Sequence, residues 1–425
     1  MTDNLLERRR RAMGPAYSHF YKQPIHLVRG EGMWLFDADG KRYLDCYNNV
    51  ASVGHCHPEV VEALSRQAAT LNTHTRYLHS SVVEYAELLG DTLPGDLSVC
   101  SFVCTGTEAN DLAYRIARTV TGNEGIIVTA NAYHGGSTLV SELSPEFRRH
   151  RPKPDFIAEV EPPDPYRGPV DEHHPDFAGA YADLVDDALA ELADCGHKPA
   201  MMIIDSIYDA KGILTPPPEY AQHAYAKVRA AGGLVVADEV QSGLTRLGDH
   251  YWGFEDSGVI PDIVTMGKPM GAGHPLAVCV TTPEIAAEFA RKSEYFNTFG
   301  GNPVSASVGK TVLDIVRRDN LLSNVKNSGD HFRAGLETLA EKHKLIGDIR
   351  GKGLFIGVEL VTDRNTREPA TAECEKIVEL MRASGVLLSR IGRGRNVLKI
   401  RPPLVCQIEH ADLCLEHLDT ALGAV

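Results

Sequence analysis

The stretch from Ala231 to Pro275 reads AGGLVVADEVQSGLTRLGDHYWGFEDSGVIPDIVTMGKPMGAGHP and constrains the chain more than any other. It holds two apolar runs, Leu234–Ala237 and Ile263–Met266. Each is too short for a helix and is bounded by Gly or Pro, so each reads as a buried parallel strand. The first ends at Asp238 and Glu239, the second at Gly267 and Lys268. Polar side chains just past the carboxyl ends of such strands line the crevice in which α/β sheets bind ligands. Taken singly, Asp238 reads as a helix cap and Lys268 as a surface charge. Presented together, and followed by the Gly271–Gly273 turn, they read as a site.

An acid and an amine placed in this way suit pyridoxal 5'-phosphate (PLP). That cofactor needs a lysine to form a Schiff base and an acid to keep its pyridine nitrogen protonated. Here the chain resembles a family. DEVQSGLTRLG followed by MGKPMGAGHP is similar to the class III aminotransferases, PLP enzymes of fold type I, and the resemblance runs from about residue 25 to the C-terminus.

A chain of 425 residues can bury a large core in one or two domains. Its formal charge of −14 opposes nonspecific binding to nucleic acid or anionic membranes. No apolar run approaches the roughly 20 residues of a membrane helix. The N-terminal MTDNLLERRRRAMG lacks the apolar region of a secretory signal, and Arg8–Arg11 reads as a solvated helix face. Nine cysteines without a paired framework predict reduced thiols in a cytoplasmic protein. His55-Cys56-His57 has no partners at metal-ligand spacing, so no metal site is expected.

Residues 24 to 45 alternate apolar and polar around a turn at Asp37–Gly40, as a β-hairpin or small meander does. Helices are predicted over about Pro58–Leu71 and Val82–Leu93, with NTHTRYLH (Asn72–His79) between them. VCSFVCTGTEAND reads as strand, tight turn and helix. Thr105, Gly106 and Thr107 stand at that helix N-terminus, where free N–H groups suit an anion. A strand ends at Tyr133-His134-Gly135. Residues 144 to 178, rich in Pro, Asp, Glu and His, read as an irregular surface excursion. Strand–helix alternation up to about Thr282 predicts a doubly wound, mostly parallel sheet. Beyond it come helices at Pro303–Arg318 and Leu321–His343, a strand-rich patch at Ile346–Leu360 and a helix at Thr371–Ala383. A strand pair, Val386–Ser389 with Val397–Ile400, and a last helix near Gln407–Leu422 complete the chain. The expected architecture is α/β: a large domain over 58–302, and a smaller α+β domain built from 303–425 with the N-terminal segment 1–57.

The resemblance implies roles for particular residues. Lys268 bonds PLP and, once displaced by an amine substrate, removes a proton from the carbon bearing nitrogen. Asp238 keeps the ring nitrogen positive, and Gln241 hydrogen-bonds the ring hydroxyl. Gly106 and Thr107 hold the cofactor phosphate. Tyr133, with His134 beside it, stacks on the ring. Thr298, in FNTFGGNP, reaches the phosphate of the neighbouring subunit, which implies a homodimer with shared sites, alone or as a dimer of dimers.

The chain departs from ordinary members before the acidic strand. Many carry Glu-Pro-Ile-Gln-Gly-Glu-Gly-Gly there; this chain has Asp205-Ser206-Ile207-Tyr208-Asp209-Ala210-Lys211-Gly212. In some members the second Glu pairs with a basic residue near the C-terminus, and the matching positions here are Ala210 and Lys399. An unmasked Lys399 facing the substrate side predicts a strongly anionic substrate. Arg390, Arg393 and Arg395 in SRIGRGRN read as a solvated basic loop or, with Arg76, as a cluster gathering a phosphate. Tyr47 or Asn48 faces the substrate, and Asn48 is the candidate. YLDCYNNVASVGHCHPEVV, LNTHTRYLH, VTMGKPMGAGHP, YFNTFGGNPVSASVG and NVLKIRPP narrow the resemblance to the phospho-lyase branch. That branch eliminates phosphate from O-phosphoethanolamine or phosphohydroxylysine. The alternative is an ω-aminotransferase, which uses the same cofactor machinery with a keto acid acceptor.

Overall fold

The computed structural model describes residues 2–148 and 151–425. Helix α1 (Thr2–Met13) leaves Arg8, Arg10 and Arg11 exposed. Strands β1 (Leu27–Glu31), β2 (Trp34–Asp37) and β3 (Arg42–Asp45) form an antiparallel meander. Helices α2 (Pro58–Thr70) and α3 (Ser80–Gly90) follow, joined by the coil that carries Arg76. Pro58 costs α2 nothing, because the first N–H of a helix has no helical acceptor.

The large sheet is laid down next. Its elements are β4 (Val99–Val103), α4 (Gly106–Thr121), β5 (Gly125–Thr129), α5 (Thr138–Glu142), α6 (Pro145–Arg148) and β6 (Ile157–Val160). They continue with α7 (Phe177–Asp194), β7 (Pro199–Asp205), α8 (Pro218–Ala230), β8 (Leu234–Asp238), β9 (Ile263–Met266) and β10 (Ala277–Thr281). The seven strands lie in the order β4-β10-β9-β8-β7-β5-β6. Only β10 runs antiparallel to its neighbours. Strands β5, β7, β9 and β10 are buried along their whole length, which explains their unbroken apolar runs.

One expectation fails here. The stretch 144–178 is more than a surface excursion, because it contains β6, the edge strand of this sheet, paired in parallel with β5. Four residues between prolines are too few to show a period. The strand expected to end at Tyr133 stops at Thr129, and Asn131 then turns the chain with φ 64°.

The remaining elements are α9 (Pro283–Lys292), α10 (Pro303–Arg318), α11 (Leu321–Lys342), β11 (Ile346–Lys352), β12 (Phe355–Asp363) and β13 (Glu368–Pro369). They end with α12 (Thr371–Ser384), β14 (Val386–Leu387), β15 (Ser389–Ile391), β16 (Val397–Ile400) and α13 (Ile408–Leu422). The expected strand pair is divided between two sheets. β14 joins β3 of the N-terminal meander in parallel, while β15 pairs with β16. Through this division one core holds Leu44 and Val53 together with Val386, Leu398 and Leu418.

No helix among the described residues is long and apolar enough to cross a membrane. All nine cysteines are free thiols. His55 Nε2 lies 2.7 Å from Asp45 Oδ2.

The strand order decides where chemistry gathers. β4, β5, β7, β8 and β9 are mutually parallel, so the loops after them emerge at one edge. Those loops carry Thr105–Thr107, Tyr133–Gly135, Asp205–Lys211, Asp238–Gln241 and Lys268.

Candidate active site

These loops meet in a cavity of about 380 Å³ lined by Asp238, Lys268, Gly106, Thr107 and Tyr133 among others. Asp238 is 4 % exposed. Its Oδ2 accepts from Asn110 Nδ2 at 2.9 Å and from His134 Nδ1 at 2.7 Å, and its Oδ1 accepts from the Val240 N–H at 3.1 Å. Asn110 is fixed in turn by the Thr265 hydroxyl, which donates to its Oδ1 at 2.6 Å. Three donors on a buried carboxylate fix its direction, as second-layer partners do for any working group.

The opposite wall is built for an anion. The N-cap Thr105 accepts from the Glu108 N–H at 3.2 Å. The N–H groups of Gly106 and Thr107 take no partner among the described residues. They open α4, at the positive end of its macrodipole. A Cβ on Gly106 would stand 2.8 Å from Val240 Cγ2, so only glycine lets this turn close on the strand-end loop that holds Asp238.

Lys268 opens a short 3-10 turn, Lys268–Gly271, directly after β9. Burial, and then the nearby Arg401, push its ammonium below the usual lysine range, against the pull of Asp238, Asp209 and Asp205. More of the amine is therefore neutral and nucleophilic. The residues present fit PLP. They offer an amine for the aldehyde, a buried acid for the pyridine nitrogen, open N–H groups for the phosphate, and at Tyr133 an aromatic ring that is 39 % exposed. His134 also lines the cavity, but its side chain is buried and bonded to Asp238, so it orients the acid rather than offering a free face.

A second cavity, of about 580 Å³, lies on the other side of Lys268. Lys268, Tyr133 and Gln241 line both. Arg390, Arg395, Lys399 and Arg401 line the second, with Glu146, Asp209 and Tyr47.

Lys399 is not the unmasked cation that the sequence suggests. Its Nζ lies 2.6 Å from Asp209 Oδ2, and the two side chains are 5 % and 8 % exposed. Tyr208 takes the left-handed conformation (φ 48°) and starts the 3-10 turn Asp209–Lys211, so Asp209 and not Ala210 reaches the lysine. Burial pushes the Asp209 carboxyl up, but Lys399 and Arg401 overcome it and hold the group below the usual range. Burial and then Arg401 bring Lys399 down to about 8. Burial, and then the charges of Asp209 and Asp238, push the Asp205 carboxyl up to about 8.

Gln241 is committed within the protein. Its Nε2 donates to Asp209 Oδ2 at 2.8 Å, and its Oε1 accepts from Asn49 Nδ2 at 3.1 Å and from Arg401. Arg401 also donates to the Tyr47 carbonyl at 3.2 Å, and its guanidinium stands 5.2 Å from the Tyr47 ring centre. No carboxylate pairs with Arg401 among the described residues. Arg401 was absent from the sequence candidates. It stands two residues past Lys399 in KIRPP, and side chains two apart along a strand share a face, which was the available signal.

The other basic candidates separate. Arg395 lines the second cavity with no acidic partner among the described residues. Arg390 lines it but lies 3.3 Å from Glu375 Oε2. Arg393 turns away to Glu161, at 3.2 Å. Asn48 folds back on its own loop, where its Oδ1 accepts from the Val50 N–H at 3.0 Å, and it lines a neighbouring apolar cavity without Lys268. Tyr47, not Asn48, lines the cavity that Lys268 enters. Arg76 and Thr298 are exposed on adjoining loops outside both cavities, with Arg76 4.0 Å from the Phe296 ring centre.

The family model for aminotransferase class-III matches residues 16–422. The chain is 42 % identical over 427 residues to an alanine–glyoxylate aminotransferase 2-like protein of Drosophila melanogaster, covering 98 % of this chain and 86 % of that one. It is 40 % identical over 420 residues to ethanolamine-phosphate phospho-lyase homolog 1 of Caenorhabditis elegans, covering 95 % and 89 %. Among solved structures it is similar to a phospholyase from Arthrobacter in complex with phosphoethanolamine, at 43 % identity and a TM-score of 0.96 over 99 % of this chain and 100 % of that one. A Bacillus anthracis aminotransferase superposes with a TM-score of 0.90 at 29 % identity, over 100 % and 99 %. With a match that spans nearly the whole length, the protein belongs to the class III aminotransferase family and, as a member, uses pyridoxal 5'-phosphate.

Proposed function

We propose that the protein is a phospho-lyase that eliminates phosphate from a small phosphorylated amine, O-phosphoethanolamine first among them. One observation carries this reading. Lys268 stands between the cofactor cradle and a cavity in which Arg395 and Arg401 have no carboxylate partner among the described residues. A phosphate dianion complements those guanidinium groups, each charged hydrogen bond contributing about 1.5–3 kcal/mol. The similarity to proteins named for phosphoethanolamine supports the same substrate class.

Bound PLP supplies an aldehyde for the amine and a protonated ring that draws electrons from the carbon bearing nitrogen. Asp238 keeps the proton on the ring nitrogen. Lys268 Nζ takes the proton from the carbon bearing nitrogen. The electron pair of that C–H bond becomes the new C=C bond, while the C–O bond breaks and its pair leaves on phosphate. Arg395 and Arg401 hold the departing anion. Water then converts the released enamine into acetaldehyde and ammonia. Incubated with O-phosphoethanolamine and no keto acid, the protein is expected to release phosphate, ammonia and acetaldehyde in equal amounts. A cofactor-loaded preparation that releases none would overturn the reading.

The Asp209–Lys399 pair favours a second reading, because a neutralised lysine suits a substrate without a distal acid. An ω-aminotransferase would turn over only with a keto acid present and would accumulate the amine form of the cofactor.

The same reading takes the protein as a homodimer. Arg76 and Thr298 lie outside their own chain's cavities, on loops that also expose Tyr77, Leu78, Phe296 and Phe299, with Leu78 100 % exposed. A second copy covering this patch would bring both residues to its own site. Lys268→Ala and Thr298→Arg proteins, each inactive, are then expected to recover about a quarter of native activity when dissociated and reassembled together. No recovery in a verified mixed dimer would refute shared sites.

A further inference from the structure

We infer that Glu146 recognises the substrate phosphate in its acid form, so that a phosphorylated amine brings a proton into the site as it binds. The inference rests on the phospho-lyase reading and deepens it. α6 sets Glu146 in the wall of the larger cavity, half-buried, facing the same space as Lys268 and Arg395. Its backbone N–H donates to the Ala132 carbonyl at 3.2 Å, which ties α6 to the loop that presents Tyr133. Its carboxyl has no hydrogen-bond or ion-pair partner among the described residues. An unpartnered acid among phosphate-binding cations is out of place if it is ionised, because it would repel the dianion.

The groups facing it account for the difference. Tyr133 comes from the loop after β5, Asp209 from the turn after β7, and Lys268 from the turn after β9. Arg395 and Lys399 come from the loop before β16 and from β16 itself. Burial, and then the charge of Asp209, push Glu146 up to about 7, against the pull of Lys399 and Arg395. The free site is thus divided between acid and carboxylate near neutral pH, and a bound dianion drives it to the acid, whose O–H donates to a phosphate oxygen. The sign follows from linkage. The acid is favoured more in the complex than in the free site, so Glu146 gives its full contribution below about pH 7. That contribution weakens as pH rises through the free value, by up to about tenfold per unit. If Glu146 instead received a second ammonium of the substrate, its ionised form would be favoured and binding would release a proton.

The probe is 3-aminopropylphosphonate, which has CH2 in place of the ester oxygen of O-phosphoethanolamine and cannot lose phosphate. Its binding to the cofactor-loaded protein is measured by calorimetry at pH 8 in buffers of different ionisation enthalpy. The native protein is expected to take up about one more proton per site than Glu146→Gln. Between pH 7 and pH 8.5 its affinity is expected to fall about tenfold more than that of the variant, whose amide still donates. The phosphonate titrates identically in both and cancels. Glu146→Ala is expected to lose the same slope from a weaker starting affinity, which separates the proton from any local change in packing. Equal proton uptake in native and variant proteins, proton release, or failure of the phosphonate to bind would each refute the role of Glu146. Phosphonate binding with the expected uptake, but no phosphate from O-phosphoethanolamine, would instead refute the activity and leave the recognition role standing.

Discussion

Lys268→Ala is expected to lower phosphate release from O-phosphoethanolamine by at least ~10²–10⁴-fold, the range associated with losing one positioned proton-transfer group. Loss of the covalent anchor adds to this. The protein is expected to stay folded, for a reason visible in the structure. The Lys268 side chain makes no hydrogen bond or ion pair among the described residues, so its removal leaves no buried partner unsatisfied. Stopped assays of released phosphate and a thermal melt followed by circular dichroism check the two halves separately. A variant that melts normally and keeps a substantial fraction of native turnover would show that another group removes the proton.

Lys399→Ala is expected to behave in the opposite manner, through stability as much as through substrate. Its partner Asp209 is buried, and with Lys399 gone the carboxylate keeps the Gln241 amide and the field of Arg401 but loses its ion-pair partner. Breaking one side of a buried pair costs about 3–5 kcal/mol, whereas replacing both sides by apolar groups of similar size is often neutral. Urea unfolding of Lys399→Ala, Asp209→Leu and a Lys399→Met/Asp209→Leu double variant is therefore expected to show each single change costing more than the double. Additive losses would mean that the two charges are not coupled. Asp209→Asn, by contrast, leaves the lysine free and is expected to tighten the phosphonate.

That pair also marks where reading the chain by position stops. Ala210 occupies the place at which some relatives carry an acid, and from there Lys399 looks unopposed. A single left-handed residue, Tyr208, starts the turn that brings Asp209 to the same task. Backbone conformation of this kind leaves no periodic trace. Asn48 and Tyr47 pose the same difficulty, since both line the neighbouring apolar cavity and only Tyr47 also reaches the cavity that Lys268 enters, while Asn48 bonds its own backbone. Arg76 and Thr298 show another limit, because their surroundings in one chain do not include the site that the resemblance assigns to them.

Local sequence alone marked most of the elements and the two strand ends that carry Asp238 and Lys268. Buried parallel strands are written as short apolar runs, and a residue at the carboxyl end of one must emerge at the sheet edge, so Asp238 and Lys268 were legible without a structure. The long helices α10 and α11 were legible for the same reason, since their apolar stripes repeat over many turns. Tertiary structure decided what pairs with what. It placed β6 at the sheet edge, divided β14 from β15 between two sheets, and set Arg401, Asp209 and Glu146 around one cavity with Lys268. These outcomes depend on contacts between residues remote in the chain. No local pattern specifies such contacts, because each is settled by the packing of the whole.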